Sequence, residues 1–106
     1  MTDWLDICDE DFVEDDDVVQ LMTGAYRLAV YKVDGTVYVT DDRCTHQEAS
    51  LADGYLDGTT IECPRHQGCF DICTGKALGP PLEHDLRTYP VKVDDGRVLI
   101  DVSNVS

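Results

Sequence analysis

Basic residues are scarce in this sequence. Its 106 residues include 8 Lys and Arg against 22 Asp and Glu, so the formal net charge is −14. A surface of this sign repels the phosphates of nucleic acid and of anionic membranes, which excludes both as expected partners. It favours fast, salt-sensitive encounters with protein partners that carry basic surfaces.

Long hydrophobic runs are also missing. No stretch approaches the roughly 18 apolar residues of a membrane span, and the N-terminal "MTDWLDICDEDF" has no basic region followed by an apolar run. Neither a membrane span nor a secretory signal is therefore expected. The five cysteines are an odd number, so they cannot all pair as internal disulfides. Reduced thiols or metal ligation in a cytoplasmic protein are the expectation.

No long amphipathic helix is evident, and short strands separated by turns predominate. The segment "YRLAVYKVDGTVYVT" predicts a hairpin that turns at Asp34-Gly35, and "TYPVKVDDGRVLIDV" predicts another that turns at Asp95-Gly96. A third hairpin is expected around "FDICTGKAL" with Thr74-Gly75 at its turn, and "DWLDI" is expected to be an edge strand. The chain is therefore predicted to be a single all-β domain spanning residues 1–106.

An acid-rich segment, "CDEDFVEDDDVVQ", carries seven acids between Asp9 and Asp17. We expect a solvated loop or a single helical turn there. A docking surface for a partner is the alternative hypothesis.

Four residues in two short loops have the spacing of metal ligands: Cys44, His46, Cys63 and His66. Thiolates and neutral imidazoles bind borderline-soft metals. Two Cys and two His would close a tetrahedral zinc site, although each loop here mixes one Cys with one His, unlike the usual zinc-finger layout. Alternatively, they would hold a two-iron cluster in which two His replace two Cys on one iron. The sequence fits this two-iron arrangement directly, since each loop supplies one Cys and one His.

The pattern Cys-x-His-x16-Cys-x-x-His resembles the Rieske ferredoxins, particularly the ferredoxin components of bacterial aromatic-ring-hydroxylating dioxygenase systems. "CTHQEASLADGYLDG" is similar to the family's first loop, and "ECPRHQGCFDICTGKALGPP" is similar to its second loop and the proline-containing third loop. The resemblance implies a Rieske-like fold of three antiparallel sheets with a two-loop cluster-binding subdomain at about residues 43–81. It also implies one [2Fe-2S] cluster, with Cys44 and Cys63 on one iron and His46 and His66 on the other.

Two sequence differences distinguish this chain from the quinol-oxidising members of the family. Those proteins carry an extra disulfide between their two loops, but Ala49 and Arg65 occupy the corresponding positions here. They also carry a Ser and a Tyr whose hydroxyls bond the cluster sulfurs, where this chain has Gly68 and Phe70. Without those donors we expect a reduction potential in the lower part of the Rieske range.

The function implied by the resemblance is one-electron transfer without catalysis. Electrons would pass from a flavin-dependent ferredoxin reductase to the terminal oxygenase of an aromatic-ring dioxygenase, through transient contacts. A small Rieske subunit of another redox enzyme, such as a nitrite reductase, is one alternative, and a structural zinc-binding module is another. Outside the motif, Cys69 and Cys73 are expected to be buried or partly buried thiols, and Arg43 and Arg65 either offset local charge or contact a partner.

Overall fold

The structure is a computed structural model that describes residues 3–45, 49–65, 68–78 and 84–103. Short 3-10 helices cover Glu10–Phe12 and Leu51–Asp53. Strands pair into three antiparallel sheets, in the orders β1-β10-β9, β2-β3-β4-β8 and β5-β6-β7. The predicted all-β class with three antiparallel sheets is confirmed. The strands of the described residues are β1 (Trp4–Asp9), β2 (Asp17–Thr23), β3 (Tyr26–Val33), β4 (Thr36–Asp41), β5 (Tyr55–Asp57), β6 (Thr60–Glu62), β7 (Cys69–Asp71), β8 (Thr88–Tyr89), β9 (Val91–Asp94) and β10 (Arg97–Asp101).

The two Asp-Gly hairpins form where the sequence predicts them. Val33 pairs with Thr36, and the two residues between them, Asp34 and Gly35, have φ values of 50° and 78°. Positive φ at both central residues is the signature of the type I′ turn, whose twist matches that of the flanking strands. The β9–β10 hairpin repeats this geometry at Asp95-Gly96. β1 lies at the edge of its sheet, also as predicted.

The third hairpin is present but has a short returning arm. After β7, the chain comes back to form a single bridge between Phe70 and Ala77. Asp71 N–H donates to the Lys76 carbonyl at 3.0 Å, and Leu78 N–H donates to the Cys69 carbonyl at 2.9 Å. Thus the turn prediction is confirmed, whereas the returning residues do not extend into a named strand.

The acid-rich segment is only partly the solvated structure that was predicted. Glu10–Phe12 form one helical turn, as expected. However, the loop prediction is wrong for residues 17–20, because β2 pairs along its whole length with β3, from Asp17 opposite Lys32 to Thr23 opposite Tyr26. Two β-branched residues favour the strand there, and an edge position tolerates the neighbouring charge.

β3 is the central strand of the molecule because it is buried on both faces. Its Leu28 and Val30 belong to a core shared with the β1-β10-β9 sheet, while Ala29 and Tyr31 belong to a second core shared with the β5-β6-β7 sheet. Successive side chains of a strand point to opposite faces, so one strand serves both cores. In the described part of the chain, no helix has the length and apolar character needed to cross a membrane.

Candidate metal centre

Two loops with the same closure carry the predicted cysteine ligands. The first is closed by an antiparallel bridge between Arg43 and Ser50, and the second by the pairing of Glu62 with Cys69 in β6 and β7. In each loop the predicted ligand follows the first residue of the closing pair, and the same number of residues is enclosed. The two loops therefore present their cysteines in equivalent backbone positions.

The backbone of each cysteine is held in the same way. Cys44 N–H donates to the Ala49 carbonyl at 3.0 Å, and Cys63 N–H donates to the Gly68 carbonyl at 2.8 Å. These bonds cross the base of each loop, just inside the closing pair. They fix where each thiol leaves the backbone.

The two predicted cysteine ligands meet in one buried cluster. Cys44 is 2% exposed and Cys63 is 1% exposed, and both pack with Leu51, Ile61 and Phe70 in the second core. Water is thus excluded from the sulfur side of the site. Two thiols delivered by equivalent turns into one dry volume fit a group that takes one sulfur from each loop.

The predicted histidine ligands His46 and His66 lie outside the described residues, as do Gln67 and Pro80-Pro81. Within the described ranges, no three His, Cys, Asp or Glu side chains form a group that could hold a metal ion. All five cysteines lie in those ranges, and none of them forms a disulfide. Ala49, which is buried, and Arg65, which is exposed, occupy the positions of the extra disulfide of the quinol-oxidising members. That disulfide therefore cannot form here.

Asp42 holds the first loop against the four-stranded sheet. Its side chain is fully buried, and its Oδ2 accepts hydrogen bonds from Gln20 Nε2 at 2.6 Å and from Arg27 Nε at 3.3 Å. Oδ1 accepts bonds from Ser50 Oγ at 2.9 Å and from Ala52 N–H at 3.0 Å. One carboxylate therefore ties β2 and β3 to the far side of the loop that contains Cys44.

Sequence reasoning missed Asp42, since nothing in the sequence distinguishes it from the other 21 acidic residues. Its backbone is engaged as well: the Asp42 N–H donates to the Arg27 carbonyl at 3.0 Å, and its carbonyl accepts from Leu51 N–H at 2.7 Å. A charged side chain is almost never fully buried unless it is paired and hydrogen-bonded. Burial at this depth is therefore the signal that identifies a structural role.

Segments beyond the two loops brace the site. Thr45 Oγ1 donates to the His84 carbonyl at 3.0 Å, which joins the first loop to the chain before β8. Gly75 N–H donates to the Asp71 carbonyl at 2.7 Å, and its own carbonyl accepts from Leu86 N–H at 2.6 Å. The hairpin after the second loop is thereby fastened to the same segment.

The two cysteines after the second loop differ from each other. Cys69 is half-buried, as expected, but the expectation is wrong for Cys73, which is exposed because it sits in the turn after β7. Cys8 is buried in β1. Tyr89 packs into the core, and burial together with the neighbouring Asp41 raises its pKa to about 12. Trp4 is partly exposed, with Lys92 Nζ lying 4.7 Å from its ring centroid.

Comparison with known proteins shows what this arrangement is similar to. A model of the Rieske [2Fe-2S] domain matches residues 3–90. The ferredoxin component of the naphthalene 1,2-dioxygenase system of Pseudomonas putida is 46% identical over 100 residues, covering 94% of this chain and 96% of that protein.

Solved structures agree with the sequence comparison. The Sphingomonas yanoikuyae B1 ferredoxin superposes with a TM-score of 0.88 at 49% identity, covering 93% of this chain and 98% of that one. A chain in the complex of reduced oxygenase and oxidized ferredoxin in carbazole 1,9a-dioxygenase matches with a TM-score of 0.84 at 39% identity, over 92% of both chains. The likeness spans nearly the whole chain and includes both loops.

Proposed function

Because this chain belongs to the Rieske [2Fe-2S] domain family, we propose that it is a one-electron carrier of a multicomponent aromatic-ring dioxygenase. The observation that carries the proposal is the pair of equivalently closed loops that bring Cys44 and Cys63 into one buried cluster. Its relatives are ferredoxin components of naphthalene and other aromatic dioxygenase systems, not their catalytic subunits. The chain accordingly serves as an electron-transfer component.

The ligand set that we propose is Cys44 and Cys63 on one iron and His46 and His66 on the other. Residues 43–81 form the cluster-binding subdomain within a single domain spanning residues 1–106. When bound, the cluster supplies a site that accepts and returns one electron. The chain's part is to deliver two thiolates from loops that backbone hydrogen bonds close, and to keep water from the sulfurs.

The proposed partners are a flavin-dependent ferredoxin reductase, which supplies electrons, and the terminal oxygenase, which receives them. The solved complex of an oxygenase with a similar ferredoxin supports the second of these contacts. We place the protein in the cytoplasm, where exposed thiols such as Cys73 persist in reduced form. The sequence identity to dioxygenase ferredoxins favours an electron carrier of a dioxygenase system over a small subunit of a nitrite reductase.

Metal analysis and electron transfer test the proposal. Anaerobically purified protein should be brown, contain about two iron and two acid-labile sulfide per chain, and give, when reduced, an electron paramagnetic resonance signal of mixed nitrogen and sulfur ligation. It should also accept electrons from the reductase of the Pseudomonas putida naphthalene system and pass them to the oxygenase. A colourless protein that contains stoichiometric zinc would establish the structural zinc module instead.

A further inference from the structure

A buried carboxyl group lies at the base of the first ligand loop, two residues before Cys44. The Asp42 side chain is fully buried, and two residues of chain span at most about 7 Å between their Cα atoms. Cys44 is 2% exposed and packs in the second core. An acidic side chain and a proposed iron ligand therefore share a part of the molecule from which water is excluded.

The hydrogen-bond partners of Asp42 are those of an ionised carboxylate. Oδ2 faces two groups that can only donate, Gln20 Nε2 and Arg27 Nε, and Oδ1 accepts from the Ala52 N–H. A carboxylate accepts at both oxygens, whereas a protonated oxygen facing a donor would lose its bond. The side chain is therefore a buried negative charge.

Arg27 supplies the counter-charge from a position that water reaches. Its side chain is 36% exposed, whereas that of Asp42 is fully buried, and Arg27 Nε lies 3.3 Å from Asp42 Oδ2. Solvent and salt screen a charge near the surface more strongly than a buried one. Arg27 therefore offsets the field of the Asp42 carboxylate inside the protein only in part.

Strand β3 places this ion pair on the side of the sheet that carries the proposed sulfur ligands. Arg27, Ala29 and Tyr31 alternate along β3, so they point to the same face. Ala29 and Tyr31 pack in the cluster of buried side chains that includes Cys44 and Cys63. The field of the ion pair is thus directed through the core that both cysteines enter.

We propose that the Asp42 carboxylate is a fixed negative charge that lowers the reduction potential of the bound cluster, and that Arg27 is the counter-charge that limits this effect. The inference rests on the proposed function, and it assigns part of the driving force for electron transfer to one residue. Reduction adds one negative charge to the cluster, so a nearby buried carboxylate opposes it. A lower potential makes the reduced carrier a stronger donor to the next protein.

The test compares two substitutions that each remove one charge of the pair from the cluster-loaded protein. Spectroelectrochemical titration measures the potential of wild type, Asp42→Asn and Arg27→Gln. We expect Asp42→Asn to raise the equilibrium constant for reduction by about tenfold, which is about 59 mV for one electron. Arg27→Gln should lower the same constant by about threefold, since it leaves the buried carboxylate without its counter-charge. Iron and sulfide contents and the electron paramagnetic resonance signal establish that each variant holds the cluster.

The opposite signs separate an electrostatic role from a structural one. A first loop that is merely loosened admits water, which stabilises the more negative reduced cluster, so a structural role predicts a higher potential for both variants. Ser50→Ala removes a hydrogen bond to Asp42 Oδ1 without removing a charge. It should change the equilibrium constant by less than about twofold.

The matched control for charge is Asp53→Asn, which makes the same change at an exposed acid of the same loop region. It should change the equilibrium constant by less than about twofold at low salt and leave it unchanged at about 0.5 M salt. The effect of Asp42→Asn should persist at the higher salt, because a buried charge is screened much less.

The outcomes separate this inference from the proposed function. If wild-type protein holds the cluster and exchanges electrons, but Arg27→Gln has a potential equal to or above that of wild type, the electrostatic role of Asp42 is overturned and the proposed function stands. Equal effects of Asp42→Asn and Asp53→Asn would overturn it in the same way. Should Asp42→Asn not retain the cluster, a lower potential for Arg27→Gln with an unchanged one for Ser50→Ala supports the inference. Wild-type protein without iron would overturn the proposed function and this inference with it.

Discussion

At the scale of single residues, Asp42 is the side chain on which the first ligand loop depends. Asp42→Asn replaces one acceptor oxygen by an amide group that faces hydrogen-bond donors, among them Gln20 Nε2 and Arg27 Nε. We expect the free energy of unfolding of the cluster-loaded protein to fall by about 2–3 kcal/mol, since hydrogen bonds to a buried charge are lost. Urea titration monitored by cluster absorbance measures this change.

The matched control is Asp53→Asn, at an exposed acid in the 3-10 helix of the same loop region. Its effect should stay within about 0.5 kcal/mol, as for most surface substitutions. Equal effects of the two substitutions would show that Asp42 has no special role.

Cysteine substitutions test the proposed sulfur ligands. Cys63→Ser replaces a buried thiol at the base of the second loop by a hydroxyl, which is a poor ligand for iron in such clusters. We expect the purified variant to contain less than about a tenth of the wild-type iron and sulfide. Cys73→Ser, at an exposed thiol, should retain the full content. Loss of iron from Cys73→Ser alone would refute the proposed ligand set.

Because of the buried thiol of Cys8, the free energy of unfolding should fall as the pH rises above 9. Burial raises its pKa from 9.0 to about 11, so the unfolded chain releases this proton at a lower pH than the folded protein does. The stabilisation is complete below pH 9 and is lost as the pH rises towards 11. In urea titrations at pH 8, 9 and 10, Cys8→Ala should therefore show a shallower loss of stability than wild type. Parallel slopes would contradict this assignment.

Cysteines that share a motif could be singled out from the sequence as candidate ligands, whereas a residue that acts through tertiary contacts could not. Cys44 and Cys63 stood out because their spacing from histidines is chemically specific, and the structure gives both the same environment. Asp42 could not be recognised, because its partners Gln20 and Arg27 are distant in sequence and only the pairing of β2 and β3 with the loop brings them together.

At the scale of structural elements, the hairpin after the second loop depends on Gly75. Its φ is +80°, and a Cβ added there would clash with the backbone carbonyl oxygen of Leu86. Gly75→Ala should therefore lower the free energy of unfolding by roughly 3 kcal/mol, through backbone strain and displacement of the segment before β8. Chemical denaturation of the cluster-loaded protein measures the loss.

Gly58→Ala is the matched control, since its φ is +57° and no atom lies within 4 Å of the added Cβ. It should cost only the strain of the left-handed backbone, about 1 kcal/mol. A similar loss for both variants would show that contact with Leu86 adds nothing.

Elements with strong local signals were the predictable part of the fold. An Asp-Gly turn between β-branched runs carries its own geometry, so the β3–β4 and β9–β10 hairpins could be placed from sequence. Strands β5 and β6 have only three residues each, and β2 begins in an acidic run. The pairing of these strands depends on tertiary contacts with neighbouring strands, and the local sequence pattern does not predict such contacts.

At the scale of the whole molecule, charge is distributed unevenly around the ligand loops. A chain of net charge −14 keeps cations at only a few places. Arg27, Arg43 and Arg87 line one groove beside the loop that contains Cys44, together with the acidic Asp41. A net charge of this size favours long-range attraction to partners with basic surfaces.

The same net charge bears on the reduction potential. An oxidised cluster with two thiolates and two neutral imidazoles has no net charge, and reduction adds one negative charge to it. That charge is added to a protein whose surface is already strongly negative. Phe70, fully buried beside the cysteines, offers no hydroxyl to stabilise the reduced form. We therefore expect a potential in the lower part of the range of about −150 to +300 mV that Rieske centres span.

Salt should raise this potential, because screening of the acidic surface reduces the repulsion that opposes the incoming electron. For a surface of charge −14, moving from about 0.01 M to 0.5 M ionic strength should shift the potential upward by tens of mV. Spectroelectrochemical titration at the two ionic strengths measures the shift. Lys92→Glu, which adds negative charge on β9, should lower the potential slightly at low salt and lose that effect at high salt. A potential that falls with salt would mean that the local surroundings of the cluster, and not the overall charge, dominate its electrostatics.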